Sequence, residues 1–254
     1  MDTIIGIICE DSVVVVMIAR SYIQIDHSLI NWSHVEYQDN CQRYFNLKEH
    51  SHISDILLTT PFSTEYSKYR DCIWLDHWKI PSKILLSKEA SDSLNIINAG
   101  GKSNVSEALS IQYFLSVFGG TDFVYEKQID YYIHYKMVDF ICTLPNLARV
   151  GVSVTRAMKF PRPERFTLED AHRLLQKKLY GLIVARNAVN RRHAFYRSVL
   201  HVWCQTPRIA DLLQEAYNSL DINDYGLDIQ GVVVLLLTVC ENPAIYRNKR
   251  SIFL

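Results

Sequence analysis

The sequence predicts an α/β fold: a mixed central sheet flanked by helices, preceded by an irregular β-rich N-terminal region. Three observations lead there. From residue 103 onward, helix-like and strand-like stretches follow one another in the order α-β-β-β-α-β-α-β, the pattern of helices laid on the faces of one sheet. The last of these, Gly231–Cys240, is an apolar run, as a strand covered on both faces requires. At 254 residues, 48% hydrophobic and 21% charged, the chain is well able to build a core.

Taken in order, Thr3–Cys9 and Ser12–Ile18 are β-rich runs joined at Glu10-Asp11 and predict a hairpin. From Asp26 to about Ile97 the text is rich in His, Tyr, Ser and Asp, with short strand-like pieces at Asp55–Thr60 and Lys83–Ser87 and no clear assignment. Asn98-Ala-Gly-Gly-Lys-Ser breaks the pattern and divides an N-terminal region, 1–97, from an α/β domain, 98–254. Ser103 or Asn104 then caps a helix over about Val105–Phe118. Glu107 stands in its first turn, where a carboxylate suits the helix dipole, and Gly119-Gly120 closes it.

Strands are expected at Phe123–Tyr132, Met137–Leu144 and Arg149–Met158. Pro161 and Pro163 break the chain, and Thr167-Leu-Glu-Asp reads as a capping box opening a long helix to about Asn190. A strand over Ser198–Cys204 and a helix over Pro207–Leu220 precede the last strand.

Several function classes are excluded. The N-terminus has no basic n-region and carries early acids, unlike a signal peptide. No apolar run approaches the roughly 20 residues that cross a bilayer. A soluble intracellular protein, cytoplasmic or nuclear and without a membrane partner, is therefore expected. The six cysteines are scattered, with no pair at zinc spacing, and read as reduced buried thiols. Gly100-Gly-Lys-Ser lacks the earlier glycine of a phosphate-binding loop, since position 96 is isoleucine. No Gly-x-Ser-x-Gly or Ser/His/Asp spacing is present, and His201, alternating with apolar strand residues, reads as a packing residue.

The neutral total charge hides a basic middle. Residues 1–150 carry a balance of −6, residues 151–208 carry 12 Lys/Arg against 3 Asp/Glu, and 209–254 carry −3. A local positive field attracts phosphates whatever the total, so nucleic acid, DNA or RNA, is an expected partner; the same charges equally suit a solvated helix face balanced by the acidic N-terminal part. Arg156, Lys159, Arg162 and Arg165 lead into the long helix, and Arg186, Arg191, Arg192 and Arg197 leave its far end. Their phosphate contacts would be salt-dependent and blind to sequence. The interleaved Phe160, Phe166, Phe195 and Tyr196 suit core packing or base stacking. Within the long helix, Ala171, Leu174, Leu175, Leu182 and Ile183 form an apolar stripe. Lys178 falls on that stripe at helical spacing, so its amine is expected either to point at the sheet and want a carboxylate or phosphate partner or, from the stripe's edge, to reach back to water.

This order of elements, with Glu107 early in the first helix and Asp139 at the head of the middle strand, resembles the PD-(D/E)xK nuclease superfamily over about residues 103–205. The resemblance implies a restriction-endonuclease-like core and hydrolysis of phosphodiesters with Mg²⁺ or Mn²⁺ if active, and no cofactor otherwise. It makes Asp139 and Glu107 metal ligands, with Gln176 or Glu126 as a further oxygen. The slot for the superfamily's E-x-K holds Ser153-Val-Thr155 instead. Lys178, with Lys177 as the weaker candidate, would supply the missing lysine from the helix. The expected function is a nucleic-acid-binding protein with an inactive or variant nuclease-like core.

The opening MDTIIGIICEDSVVVVMIARSYIQ resembles the first hairpin of a proteasome β-type subunit. It implies the alternative of a noncatalytic subunit in a large assembly, since the expected aspartate slot falls at Ile18 or Ala19. A protein-interaction domain, with protein partners or a second copy of itself, is the third expectation.

Overall fold

The computed structural model describes residues 3–9, 12–19, 22–25, 73–80, 83–96, 103–144, 149–195, 197–220 and 233–254, the first three segments as backbone only. Those three are the strands β1 (Thr3–Cys9), β2 (Ser12–Ala19) and β3 (Tyr22–Ile25), an antiparallel sheet in the order β1-β2-β3. The predicted hairpin is its first half, with Thr3 opposite Ile18 and Cys9 opposite Ser12. The strand-like piece at 55–60 lies outside the described residues.

The larger unit is a six-stranded mixed sheet. Its strands are β4 (Ile73–His77), β5 (Thr121–Tyr125), β6 (Phe140–Thr143), β7 (Arg149–Ala157), β8 (Arg197–Cys204) and β9 (Val233–Val239), ordered β4-β9-β8-β7-β6-β5. The first four in that order run parallel, while β6 and β5 are antiparallel additions at one edge. Five helices accompany it among the described residues: α1 (Lys88–Asn95), α2 (Asn104–Phe118), α3 (Leu168–Ala188), α4 (Pro207–Asn218) and α5 (Pro243–Arg247). None of these is long and apolar enough to cross a membrane. The chain is thus mixed α/β, in the predicted element order after residue 103.

Local chemistry sets the helix ends. Thr167 and Asp170 exchange side-chain and backbone hydrogen bonds in the predicted capping box of α3. Gly119, at φ 62°, closes α2 in the left-handed conformation that glycine adopts without strain. Ser103 stands at the start of α2, yet its hydroxyl turns to Glu107 rather than to a backbone N–H.

Alternation divides the core into two layers. Phe140, Cys142, Val150, Val152, Val154, Val199, Trp203, Val234 and Leu236 face α1, α2 and α5. Ile141, Ala157, Leu200, Val202, Val233, Leu235 and Leu237 face α3 and α4. The two crossover helices α3 and α4 therefore share one face, and α2 is buried almost all round between the sheet and its neighbours on the other. Strand β4 and helix α1 both precede residue 97, yet β4 pairs in parallel with β9 and α1 packs on α2.

Candidate functional site

Strand β6 stops pairing with β7 at Phe140 opposite Val152, and the Asp139 N–H closes the ladder on the Val152 carbonyl. Two residues further along, Val154 presents its N–H and carbonyl to the same side, past the start of β6. Side chains take them. The Asp139 carboxylate accepts the Val154 N–H at 2.6 Å and the Ser153 hydroxyl at 3.1 Å. The Lys178 ammonium, from the middle of α3, donates to the Val154 carbonyl at 3.2 Å. Lys178 therefore points at the sheet, as the stripe allows, while Lys177 is exposed.

The electrostatics follow from burial. Withdrawal from water pushes the Asp139 carboxyl above its ordinary value of 3.8, and the nearby Lys178 charge, the Val154 N–H and the Ser153 hydroxyl pull it back. Tyr131, whose hydroxyl oxygen accepts the Val138 N–H, is pushed up to about 12, chiefly by burial and further by the Asp139 and Glu126 charges. Asp139, Lys178, Ser153 and Tyr131 thus share this edge of the α3 layer, with Glu126 close enough to act on Tyr131.

Glu107 is not with them. It stands on α2, on the opposite face of the sheet. There it takes a hydrogen bond from Ser103 and lies close enough to Arg156 to favour the guanidinium's charge. Burial works the other way and lowers Arg156, which donates to the Ile245 and Tyr246 carbonyls. Gln176 is exposed and Glu126 is half-buried near Tyr131. Among the described residues no group of three or more His, Cys, Asp or Glu is placed to hold a metal ion. Asp139 already spends one oxygen on Val154 and Ser153 and has the Lys178 ammonium beside it, so the residues present are a poor fit to Mg²⁺ or Mn²⁺, for which they leave one carboxylate oxygen facing a competing cation.

The basic residues fall into two groups, one at each end of α3. At its start, Arg162 and Arg165 are exposed on the loop from β7, and Lys159 is held by Asp170 at 2.7 Å. Phe160 on that loop is 66% exposed, with the Arg247 guanidinium 5.8 Å from its ring centroid, and Arg208 donates to the Glu164 carbonyl. At the other end, Arg191 and Arg192 are exposed, Arg186 is half-buried, and Arg149 donates to the Arg192 carbonyl. Arg197 is only 2% exposed and Arg156 is engaged by backbone carbonyls, so neither presents its guanidinium to a phosphate. Phe166 and Phe195 are buried and belong to the core; the side chain of Tyr196 lies outside the described residues.

A further surface feature is not among the sequence expectations. Tyr132, Ile133 and Tyr135 are 64%, 66% and 63% exposed, on a bend beside the second basic group. The segment Tyr-Tyr-Ile-His-Tyr-Lys, whose first residues fall at the end of an expected strand, carries the signal in its density of tyrosine next to lysine.

No family model matches the chain, and no solved structure matches it. The chain is similar to the AAC-rich mRNA clone AAC4 protein of Dictyostelium discoideum, at 33% identity over 172 residues. The match covers 63% of this chain and 25% of that protein, so the chain corresponds to about a quarter of its relative's length.

Proposed function

We propose that this chain binds nucleic acid, gripping the phosphate backbone with the two basic ends of α3 and holding the Asp139–Lys178 pair between them as a nuclease-like but non-hydrolytic feature. The observation that carries the reading is the placement of exposed Arg162 and Arg165 at one end of a 21-residue helix and of exposed Arg191 and Arg192 at the other. At 1.5 Å per residue the two pairs stand about 30 Å apart. A strand with phosphates every 3.4 Å or so covers that span in about nine nucleotides. Lys178 lies at the midpoint of the helix.

The sparse set of acids around Lys178 supports binding over cleavage. Glu107 lies on the other face, Glu126 meets Asp139 through its backbone N–H, and among the described residues no group of three or more potential ligands is placed to hold the metal that would activate water. Binding of labelled DNA and RNA, followed by fluorescence anisotropy across a range of salt, tests the proposal. Affinity is expected to fall steeply with salt, with a log–log slope of several, and substrate should stay intact with Mg²⁺ or Mn²⁺. Absence of binding to either polymer at low salt would overturn the reading. Metal-dependent cleavage abolished by Asp139→Ala would overturn its non-hydrolytic part.

A further inference from the structure

The surface beside the second basic end of α3 is built in an unusual way. The bend from Tyr131 to Lys136 is fixed at its base: Tyr131 pairs with Val189 in a β-bridge, the Tyr132 N–H donates to the Ala188 carbonyl at 2.8 Å, and the Asn190 N–H donates to the Asp130 carbonyl at 2.9 Å. The Tyr131 ring is buried beneath it, its oxygen taking the Val138 N–H at 3.0 Å. From this anchored base Tyr132, Ile133 and Tyr135 turn outward, each more than three-fifths exposed. A folded chain seldom holds three large apolar side chains in four residues out in water without a use for them.

The charge around them says what kind of ligand fits. Lys136 sits over the Tyr135 ring at 4.9 Å from its centroid, and exposed Arg191 and Arg192 lie on the turn that the same backbone bonds tie to this bend. Aromatic faces among cations match a polymer that carries flat bases on an anionic backbone. A duplex has its base faces stacked away, so only unpaired bases can use these rings.

Resting on the nucleic-acid reading above, we infer that Tyr132 and Tyr135 form a stacking platform for unpaired bases, and that the ligand is single-stranded where it reaches this end of α3. The cations hold the backbone, and the two rings, on a rigid bend, receive bases without regard to sequence. The exposed Phe160 beside Arg247 at the other end of the helix repeats the combination.

Anisotropy titrations of the full chain with a labelled oligothymidylate, and with a mixed-sequence duplex of equal length, test this. The wild type should favour the single strand. The double variant Tyr132→Ala/Tyr135→Ala should lose roughly fivefold or more of single-strand affinity for each ring removed and keep its duplex affinity. Tyr132→Phe/Tyr135→Phe, which keeps the rings, should bind as the wild type does. Both side chains are exposed, so unchanged thermal unfolding is expected and serves as the control. Wild-type single-strand affinity in the alanine variant, or equal losses on both ligands, would overturn the platform. If the duplex is still bound through the α3 arginines in that case, the phosphate reading survives alone. Failure of the wild type to bind either ligand would sink both.

Discussion

Asp139 and Lys178 hold opposite ends of one residue. The carboxylate takes the Val154 N–H at 2.6 Å and the ammonium gives a hydrogen bond to the Val154 carbonyl at 3.2 Å. The two charges are thus kept near each other by the strand that both complete. Lys178→Met leaves that carbonyl without its donor and the acid without its nearest cation, and is expected to cost about 1–3 kcal/mol in urea unfolding. In an Asp139→Asn background the same change should cost less, with a coupling of roughly 0.5–3 kcal/mol from the double-mutant cycle. Strict additivity would mean that the ammonium does not feel the acid.

Asp139 also gives stability a definite pH sign. Its carboxyl is raised above 3.8 in the folded protein by burial. Between the unfolded and folded values the native state binds more protons, so this group's contribution is full below the unfolded value and is lost as pH rises through the folded one. Wild type minus Asp139→Asn, compared by denaturant midpoint over that interval, should therefore show a difference that grows less favourable to the wild type with rising pH. A difference independent of pH would show a carboxyl with the same affinity for protons folded and unfolded.

The two ends of α3 are separable in binding. Arg162→Ala/Arg165→Ala and Arg191→Ala/Arg192→Ala should each weaken binding to DNA of any sequence. For every phosphate left without its arginine, the salt slope on a duplex should fall by about 0.9. Arg197→Ala should leave that slope unchanged and reduce stability instead, because its side chain is buried at the start of β8. An unchanged slope in both surface pairs would show that α3 does not carry the polymer.

Phe195 illustrates why the aromatic residues near the basic segment divide. Its ring lies against Gly151 of β7, where an added Cβ would come within 2.6 Å of it. Gly151→Ala must displace a buried ring, and the expected cost is about 1–3 kcal/mol in thermal or denaturant unfolding. A neutral substitution would show that this part of the core is looser than the contact implies.

The element order after residue 103 is readable because capping residues and strand alternation are local signals: Thr167 and Asp170 set the start of α3, and Lys178 turns inward as its stripe allows. Which face each helix covers is not a local property. Parity along β6 and β7 puts Asp139 and Ser153 on one side and Val152 and Arg156 on the other. Only the crossover of α3 decides that Asp139 meets Lys178 while Glu107, on α2, meets Arg156. Strand β4 is hidden for a related reason: five residues with mixed polarity become a strand by pairing with β9, some 160 residues later in the chain. Helix α1, with a largely polar sequence, likewise owes its place to Ala90, which packs into the α2 layer, and to the burial of Leu94.

His201 gives the opposite pH sign to Asp139. It lies buried among Tyr113, Phe114 and Trp203, its Nε2 is 3.0 Å from the Thr238 hydroxyl, and its Nδ1 has no hydrogen-bond partner among the described residues. Burial lowers it from 6.5 to about 3, so it stays neutral in the folded protein. The unfolded chain protonates first as pH falls. The contribution is full above the unfolded value and is lost as pH drops from about 6.5 towards 3, at about 1.4 kcal/mol per pH unit while only the unfolded form is charged. His201→Gln, which keeps a polar partner for Thr238 and does not titrate, should unfold with a shallower acid limb than the wild type in urea midpoints taken between pH 7 and pH 4. Parallel acid limbs in the two proteins would mean that this imidazole reaches water and is protonated in the folded state.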